Sequence, residues 1–332
     1  MGAILLQKTF GAVALALLCV TSPVRAAGIQ LLDSDPKLRG AIWTPCAAEP
    51  ASVPLGSLGI PGLESLPGVE DCPIKGQKLP LVVISHGRGG WFAQHHDLHE
   101  ALADAGFIVA AINHPGDSVD DRSQSESLSN WASRPTDIVR LLEFVLNDWK
   151  DKHAIDPDRI GFFGFSKGGY TGLVLAGADP DMHRVAQYCT EANPFCEQVR
   201  SGDAPKGWAH DARIRAAVLA DTAPSTPFTA ANLANIKIPL QIWRSEFGGH
   251  GADPGGTARV VAALPGQPEV HTVPAAHFAF LAPCSAQLAI AVPRICADTP
   301  TDFDRAAFHR TFDAEIVRFL SEHLISSPDR LH

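Results

Sequence analysis

Short apolar runs alternate along this chain with stretches whose apolar residues recur at helical spacing. The runs lie at 81–85, 107–112, 159–163, 214–220, 238–243 and 270–273. They are nearly continuous rather than alternating apolar with polar, as expected of strands buried on both faces. Between them, 91–105 has a helical pattern. A longer amphipathic helix places Ile138, Leu141, Leu142, Val145, Leu146 and Trp149 on one face, with Pro135 expected in its first turn. The small-residue stretch 170–176 suits a helix packed close to a sheet, and 306–324 repeats Phe308, Phe312, Ile316 and Phe319 at helical spacing. Strands alternating with helices predict an α/β fold: a mostly parallel central sheet with helices on both faces. No internal repeat or interdomain linker interrupts the pattern, so 27–332 reads as a single domain. The Pro/Gly-rich stretch 50–76 and the Cys-bearing stretch 181–211 read as surface excursions, the second cap-like.

The strand at 159–163 runs into Gly164-Phe165-Ser166-Lys167-Gly168. A phosphate-cradling loop needs glycine directly before its lysine and Ser or Thr after it; here Ser166 precedes Lys167 and Gly168 follows, so that reading fails. What remains is G-x-S-x-G, a sharp strand-to-helix turn that exposes a serine hydroxyl. Parallel sheets carry their sites at the carboxyl ends of strands. Those ends hold the Gly-rich Ser85-His86-Gly87-Arg88-Gly89-Gly90, then Ser166, then Asp221, then Glu246, and finally His277. Serine, acid, histidine is the chain order of the α/β-hydrolase triad. The acid is open at this stage. Asp221 follows the strand after the serine, whereas Glu246 or Asp253 follows the next, and Asp221 could equally be a turn carboxylate. His86 reads as a hydrogen-bonded part of its loop and His250 as exposed among glycines. The His95/His99 pair lacks the Glu of H-E-x-x-H, so no metal is expected.

Composition fits one large core: 332 residues, 45% hydrophobic and 19% charged. Lys8, the apolar stretch 10–20 and the small residues at 21–26 form a secretory signal pattern, too short to span a membrane, with cleavage expected near Ala26. Leu18 before Cys19 is too large for a lipid-attachment box. Cleavage removes Lys8 and Arg25 and no acid, taking the net charge from −9 to −11. An acidic chain without Lys/Arg runs does not suit nucleic acid or an anionic membrane. Of seven cysteines, six lie after the leader, and an even number in an exported chain points to disulfides. The expected pairing is local, Cys46–Cys72, Cys189–Cys196 and Cys284–Cys296, because each pair flanks a Pro-rich or polar loop.

The blocks "SHGRGG", "GFIVAAINHPGDS", "RPTDIVRLLEF", "DPDRIGFFGFSKGGY" and "PLQIWRSEF" resemble the platelet-activating-factor acetylhydrolase and bacterial dienelactone-hydrolase-like branch of the α/β hydrolases. The similarity runs from about Gly40 to about His277. It implies Asp221 as the acid and the backbone N–H groups of Arg88 and Lys167 as oxyanion donors. Dienelactone hydrolases themselves use cysteine where this chain has Ser166, so the resemblance does not extend to dienelactone as substrate. The expectation is a secreted or periplasmic serine esterase that works through an acyl-enzyme on short-chain or small soluble esters and needs no cofactor. Its rivals are a peptidase or amidase on the same triad and a non-catalytic binding module. The 181–211 excursion either overhangs the site, shaping an acyl pocket with Phe195 and Trp208, or merely faces solvent.

Overall fold

The apolar runs become the parallel heart of a ten-stranded sheet among the described residues. The computed structural model describes residues 27–326 apart from 187, 188, 190–193, 203, 204 and 206. The expected leader lies outside the described residues, as does part of the 181–211 excursion.

The strands are β1 (Ala27–Leu32), β2 (Gly40–Pro45), β3 (Ala51–Pro54), β4 (Ser65–Glu70), β5 (Leu79–Ser85), β6 (Ile108–Ile112), β7 (Ile155–Phe165), β8 (Ile214–Ala220), β9 (Leu240–Ser245) and β10 (Glu269–Val273). Their order is β10-β9-β8-β7-β5-β6-β2-β1-β4-β3. All pairings from β10 to β6 are parallel, whereas β2 is antiparallel to β6 and β1 antiparallel to β2. The helices are α1 (His96–Asp104), α2 (Ser129–Asn147), α3 (Lys167–Leu175), α4 (Met182–Ala186), α5 (Pro194–Ser201), α6 (Ala230–Leu233), α7 (Gly256–Ala263), α8 (Ala286–Ala291), α9 (Pro293–Cys296) and α10 (Arg305–Leu324).

β5 shows why the central runs lack a polar face. Val82 and Ile84 enter one core layer with Phe163, Val218 and the α10 residues Phe312 and Ile316. Leu81 and Val83 enter the other with Phe162, Leu219 and the α2 residues Ile138 and Leu142. Burying each such side chain favours folding by about 1.5–3 kcal/mol.

Three local expectations change. α2 starts at Ser129, so Pro135 lies well inside it rather than in the first turn. The extra turn is anchored from outside, by the Leu128 N–H on Gln198 Oε1 (2.7 Å) and by Asn130 Oδ1, which accepts from Lys167 Nζ (2.5 Å). Proline lacks an N–H, so such outside bonds matter here. Helix α1 begins only at His96, because the preceding turn is held by the Phe92 N–H on Asn113 Oδ1 (2.7 Å) and the Trp91 Nε1–H on Leu58 O (2.8 Å). The stretch 50–76 is no mere excursion. It contributes β3 and β4 and buries Val53, Leu55, Leu58 and Leu66. Its strands are short and lie at the sheet edge, where Pro is tolerated, so they leave no long apolar run to read.

The three disulfides are the expected local ones, Cys46–Cys72, Cys189–Cys196 and Cys284–Cys296, with Cα–Cα distances of 6.0, 5.5 and 5.8 Å. They are consistent with an extracellular or periplasmic protein. No helix among the described residues is long and apolar enough to cross a membrane.

Closing a longer loop removes more unfolded-state entropy. With sequence separations of 26, 7 and 12 residues, the Cys46–Cys72 bridge should therefore matter most. Urea unfolding of paired Cys→Ser variants should show a loss of about 3–4 kcal/mol for Cys46/Cys72 and about 2–3 kcal/mol for Cys189/Cys196. The reverse ranking would mean that native packing, not loop closure, sets the contribution.

Candidate active site

Ser166 joins the end of β7 to the start of α3 with a backbone φ of +57°. The turn is possible because the residues two positions to either side, Gly164 and Gly168, have no side chain. A Cβ at Gly164 would lie 2.2 Å from Gly168 O, and one at Gly168 would lie 1.9 Å from Ser85 O. The Ser166 N–H donates to Ala220 O at the end of β8 (2.9 Å), so the elbow is tied to the strand that delivers Asp221.

Asp221 follows β8 directly and His277 follows β10. His277 Nε2 is 2.9 Å from Ser166 Oγ, and its Nδ1 is 2.6 Å from Asp221 Oδ2. With the Nδ1 proton directed at the carboxylate, Nε2 accepts the hydrogen bond from the Ser166 hydroxyl. Asp221 is fixed in turn by Ser245, whose N–H donates to Oδ1 (2.9 Å) and whose hydroxyl donates to Oδ2 (2.6 Å). The His277 N–H donates to Gly248 O (2.9 Å), and the Phe165 ring stacks on the imidazole with centroids 4.6 Å apart. All three side chains are buried. Glu246 is exposed, and Asp253 pairs with Arg259 on the surface. Neither has a bond to His277; the neighbour of Glu246, Ser245, is what reaches the site.

The loop after β5 lies against the elbow, since a Cβ on Gly87 would sit 3.4 Å from that of Ser166. In this loop the Gly89 N–H donates to Asp117 Oδ1 (2.9 Å) and the Gly90 N–H to Gly87 O (3.1 Å). The Arg88 N–H between them has no acceptor among the described residues, and the Lys167 N–H, first in α3, has no carbonyl one turn earlier in its helix. The Arg88 side chain makes an exposed ion pair with Glu126 beside the cavity. His86 is structural as expected: Nδ1–H donates to Gly87 O (2.7 Å) and Nε2 accepts from the His114 N–H (3.0 Å). His250 is exposed and stacks on Phe278.

Beside Ser166 and His277 opens a cavity of about 680 Å³. Its lining includes Ile60, Leu63, Trp91, Phe278, Leu288 and Ile295, and no described residue of 181–211. Of the two readings of this excursion, the one in which Phe195 and Trp208 shape the pocket is not supported, since neither lines the cavity. Phe195 packs on Trp131 and Trp208 on Tyr170, next to α2 and α3. The aromatic side chains find apolar cover on those helices rather than over the site.

Residues 71–238 match the dienelactone hydrolase family. The chain belongs to that family. It is also 30% identical over 206 residues to the lasso peptide isopeptidase AtxE2 of Asticcacaulis excentricus, a match covering 55% of this chain and 28% of that protein. The chain spans about a third or less of the length of the curated relatives it matches. A ferulic acid esterase from Streptomyces cinnamoneus shares the fold, with a TM-score of 0.61 at 18% identity over 94% of each chain. The fold is that of the α/β hydrolases. In this member of the dienelactone hydrolase family, the match includes Ser166 and Asp221 but stops short of His277 and of the 281–295 wall of the cavity.

Behind the elbow lies a buried charge cluster that the sequence reading did not single out. Asp117 Oδ2 is 2.8 Å from both Arg134 Nη1 and Lys167 Nζ, and Asp117 Oδ1 accepts from Ser125 Oγ (2.8 Å). Arg134 also donates to Ser85 Oγ (3.2 Å) and to His86 O, and the Lys167 ammonium sits 4.7 Å over the Trp131 ring. Burial opposes ionisation of Asp117, but Arg134 and Lys167 hold its carboxyl well below the usual range. Burial pulls Lys167 down to about 8 despite Asp117. The cluster joins α2, the loop after β6, the Gly-rich loop and the first residue of α3. It thereby ties the Gly-rich loop to the start of α3. Asp117 and Arg134 lie in the family-like blocks "NHPGDS" and "RPTDIVR", but nothing in their local pattern says that they meet.

For metals, two groups among the described residues have ligand spacing, Asp97–His309–Asp313 and Glu269–His271–Glu315, with ligand atoms within 4.8 Å. None of these residues lines the cavity. His99 is buried edge-on against Trp43.

Removing the carboxylate from the cluster strands two buried cations, whereas removing one cation leaves a neutral pair. Asp117→Asn should therefore cost about 3–5 kcal/mol in urea unfolding, and Lys167→Met clearly less. Equal losses would show that the cluster is not held by its charge balance.

Proposed function

We propose that the protein is an exported serine hydrolase that cleaves carboxylic esters through an acyl-enzyme. The observation carrying this reading is the unbroken line from Ser166 Oγ through His277 to Asp221, at 2.9 and 2.6 Å, ending on a carboxylate fixed by Ser245. His277 Nε2 takes the Ser166 proton as Oγ bonds to the acyl carbon. The carbonyl π electrons move onto oxygen, where the N–H groups of Arg88 and Lys167 receive the charge. Asp221 stabilises the imidazolium. The tetrahedral intermediate collapses, the C–O bond to the alcohol breaks, and His277 returns its proton to the departing alkoxide. Water, deprotonated by His277, then attacks the acyl-enzyme; the acid leaves and Ser166 regains its proton. No step draws on a cofactor. The leader pattern at 1–26 and the three disulfides support export. Asp221 is favoured over Glu246 as the acid by its distance to His277.

Amide or isopeptide cleavage on the same triad is the second reading, favoured by the identity to a protein named as an isopeptidase. Rates on p-nitrophenyl esters against peptide anilides separate the two. A non-catalytic binding role would leave Ser166 unlabelled by a fluorophosphonate.

Ser166→Ala and His277→Ala should each abolish nearly all ester turnover with the fold intact, because triad members act as a unit. Activity within tenfold of the parent in either variant would refute the mechanism.

The acid is tested separately. An amide at position 221 presents a donor where His277 needs an acceptor. Asp221→Asn should lower kcat/KM by on the order of a hundredfold or more, and Glu246→Gln by far less. A crippled Glu246→Gln beside a healthy Asp221→Asn would move the acid to the later loop.

A further inference from the structure

The cavity beside Ser166 and His277 holds more than the acyl group of a short-chain ester would fill. An acyl group such as acetyl fills the space of only a few waters, each about 30 Å³. The cavity measures about 680 Å³, within the range that holds drug-sized ligands.

Its far walls come from two segments distant in sequence. One is the connection between β3 and β4, which supplies Ile60 and Leu63. The other follows the His277 turn and carries Leu281, Leu288, Val292 and Ile295. Both lie outside the part of the chain that matches the family.

The walls are clasped to each other and to the body of the protein. Ser285 Oγ donates to Gly62 O (3.4 Å), and a Cβ on Gly62 would come within 2.8 Å of the Leu288 backbone. The Cys284–Cys296 disulfide closes the second segment. The Ala282 N–H donates to Gln94 O (3.1 Å), and Arg305, paired with Asp298 (2.7 Å), donates to Ile295 O (2.9 Å). A cavity held open by so many bonds keeps its shape without ligand, so an apolar group entering it spends little free energy on ordering the walls.

Resting on the ester-hydrolase reading above, we infer that the substrate is an ester with a bulky apolar substituent, an aryl group or a medium-length alkyl chain. That substituent lies against the wall formed by Ile60, Leu63, Leu288, Val292 and Ile295. Burying it beside the triad raises kcat/KM, because each methylene removed from water in a fitted pocket discriminates by about tenfold or more.

The test is a pair of substrate series on the full-length mature protein. One varies the acyl chain as p-nitrophenyl acetate, butyrate and octanoate. The other varies the alcohol as methyl, butyl and octyl acetate. In one series the eight-carbon member should exceed the shortest in kcat/KM by on the order of tenfold or more. Leu63→Trp and Val292→Trp, which fill the cavity from two different segments, should each lower that ratio by a similar factor. Two variants on separate segments guard against one failing to fold. If the shortest member is turned over best in both series, or if neither Trp variant moves the ratio, the inference is wrong. If no ester in either series is cleaved and a fluorophosphonate leaves Ser166 unlabelled, the ester-hydrolase reading itself has failed.

Discussion

The left-handed turn at Ser166 is the constraint on which the rest of this site depends. A non-glycine residue at φ +57° is held against a cost of about 1–3 kcal/mol, and only surrounding structure can hold it. Here α3 is pressed so closely on β5 that Gly168 leaves no room for a Cβ beside Ser85 O. That approach brings the first N–H of α3 next to the Gly-rich loop and aims the hydroxyl out of the sheet. The bond from the Ser166 N–H to Ala220 O then makes the placement of Asp221 a consequence of the same turn.

Close packing at the elbow is paired with a charged cluster behind it. The cluster replaces what would otherwise be apolar cover under the Gly-rich loop with directional bonds to the Gly89 N–H and His86 O. Buried ions are poor sources of net stability. Their use here is consistent with a need for orientation, since apolar contacts alone do not fix where an N–H points. The same logic holds for Asp221, which takes two hydrogen bonds from Ser245 before it meets His277.

The cavity follows a different rule. Ser166 and the Gly-rich loop follow central strands, but part of the cavity wall comes from distant parts of the described chain, 60–63 and 281–295, the second closed by a disulfide and bonded to the first through Ser285 and Gly62. Walls of this kind can change without disturbing the elbow, as loops on a rigid scaffold do.

Much of this was legible in the sequence. Uninterrupted apolar runs at 81–85 and 159–163 marked strands covered on both faces, because such strands have no polar side to alternate. Gly164, Ser166 and Gly168 marked the elbow because no larger residue fits that turn, and Asp221 and His277 could be found by looking only at strand ends. The local cysteine pairing was legible for a related reason: short separations bring partners together through chain connectivity alone. The edge strands β3 and β4, the cluster of Asp117, Arg134 and Lys167, and the sharing of one cavity by Ile60 and Ile295 were not. Each joins residues far apart in the chain through contacts that leave no periodic trace in either segment. A sequence carries the constraints that neighbouring residues impose on one another. Which distant side chains share a charge, or enclose a cavity, is decided only when the sheet brings their strands and loops together.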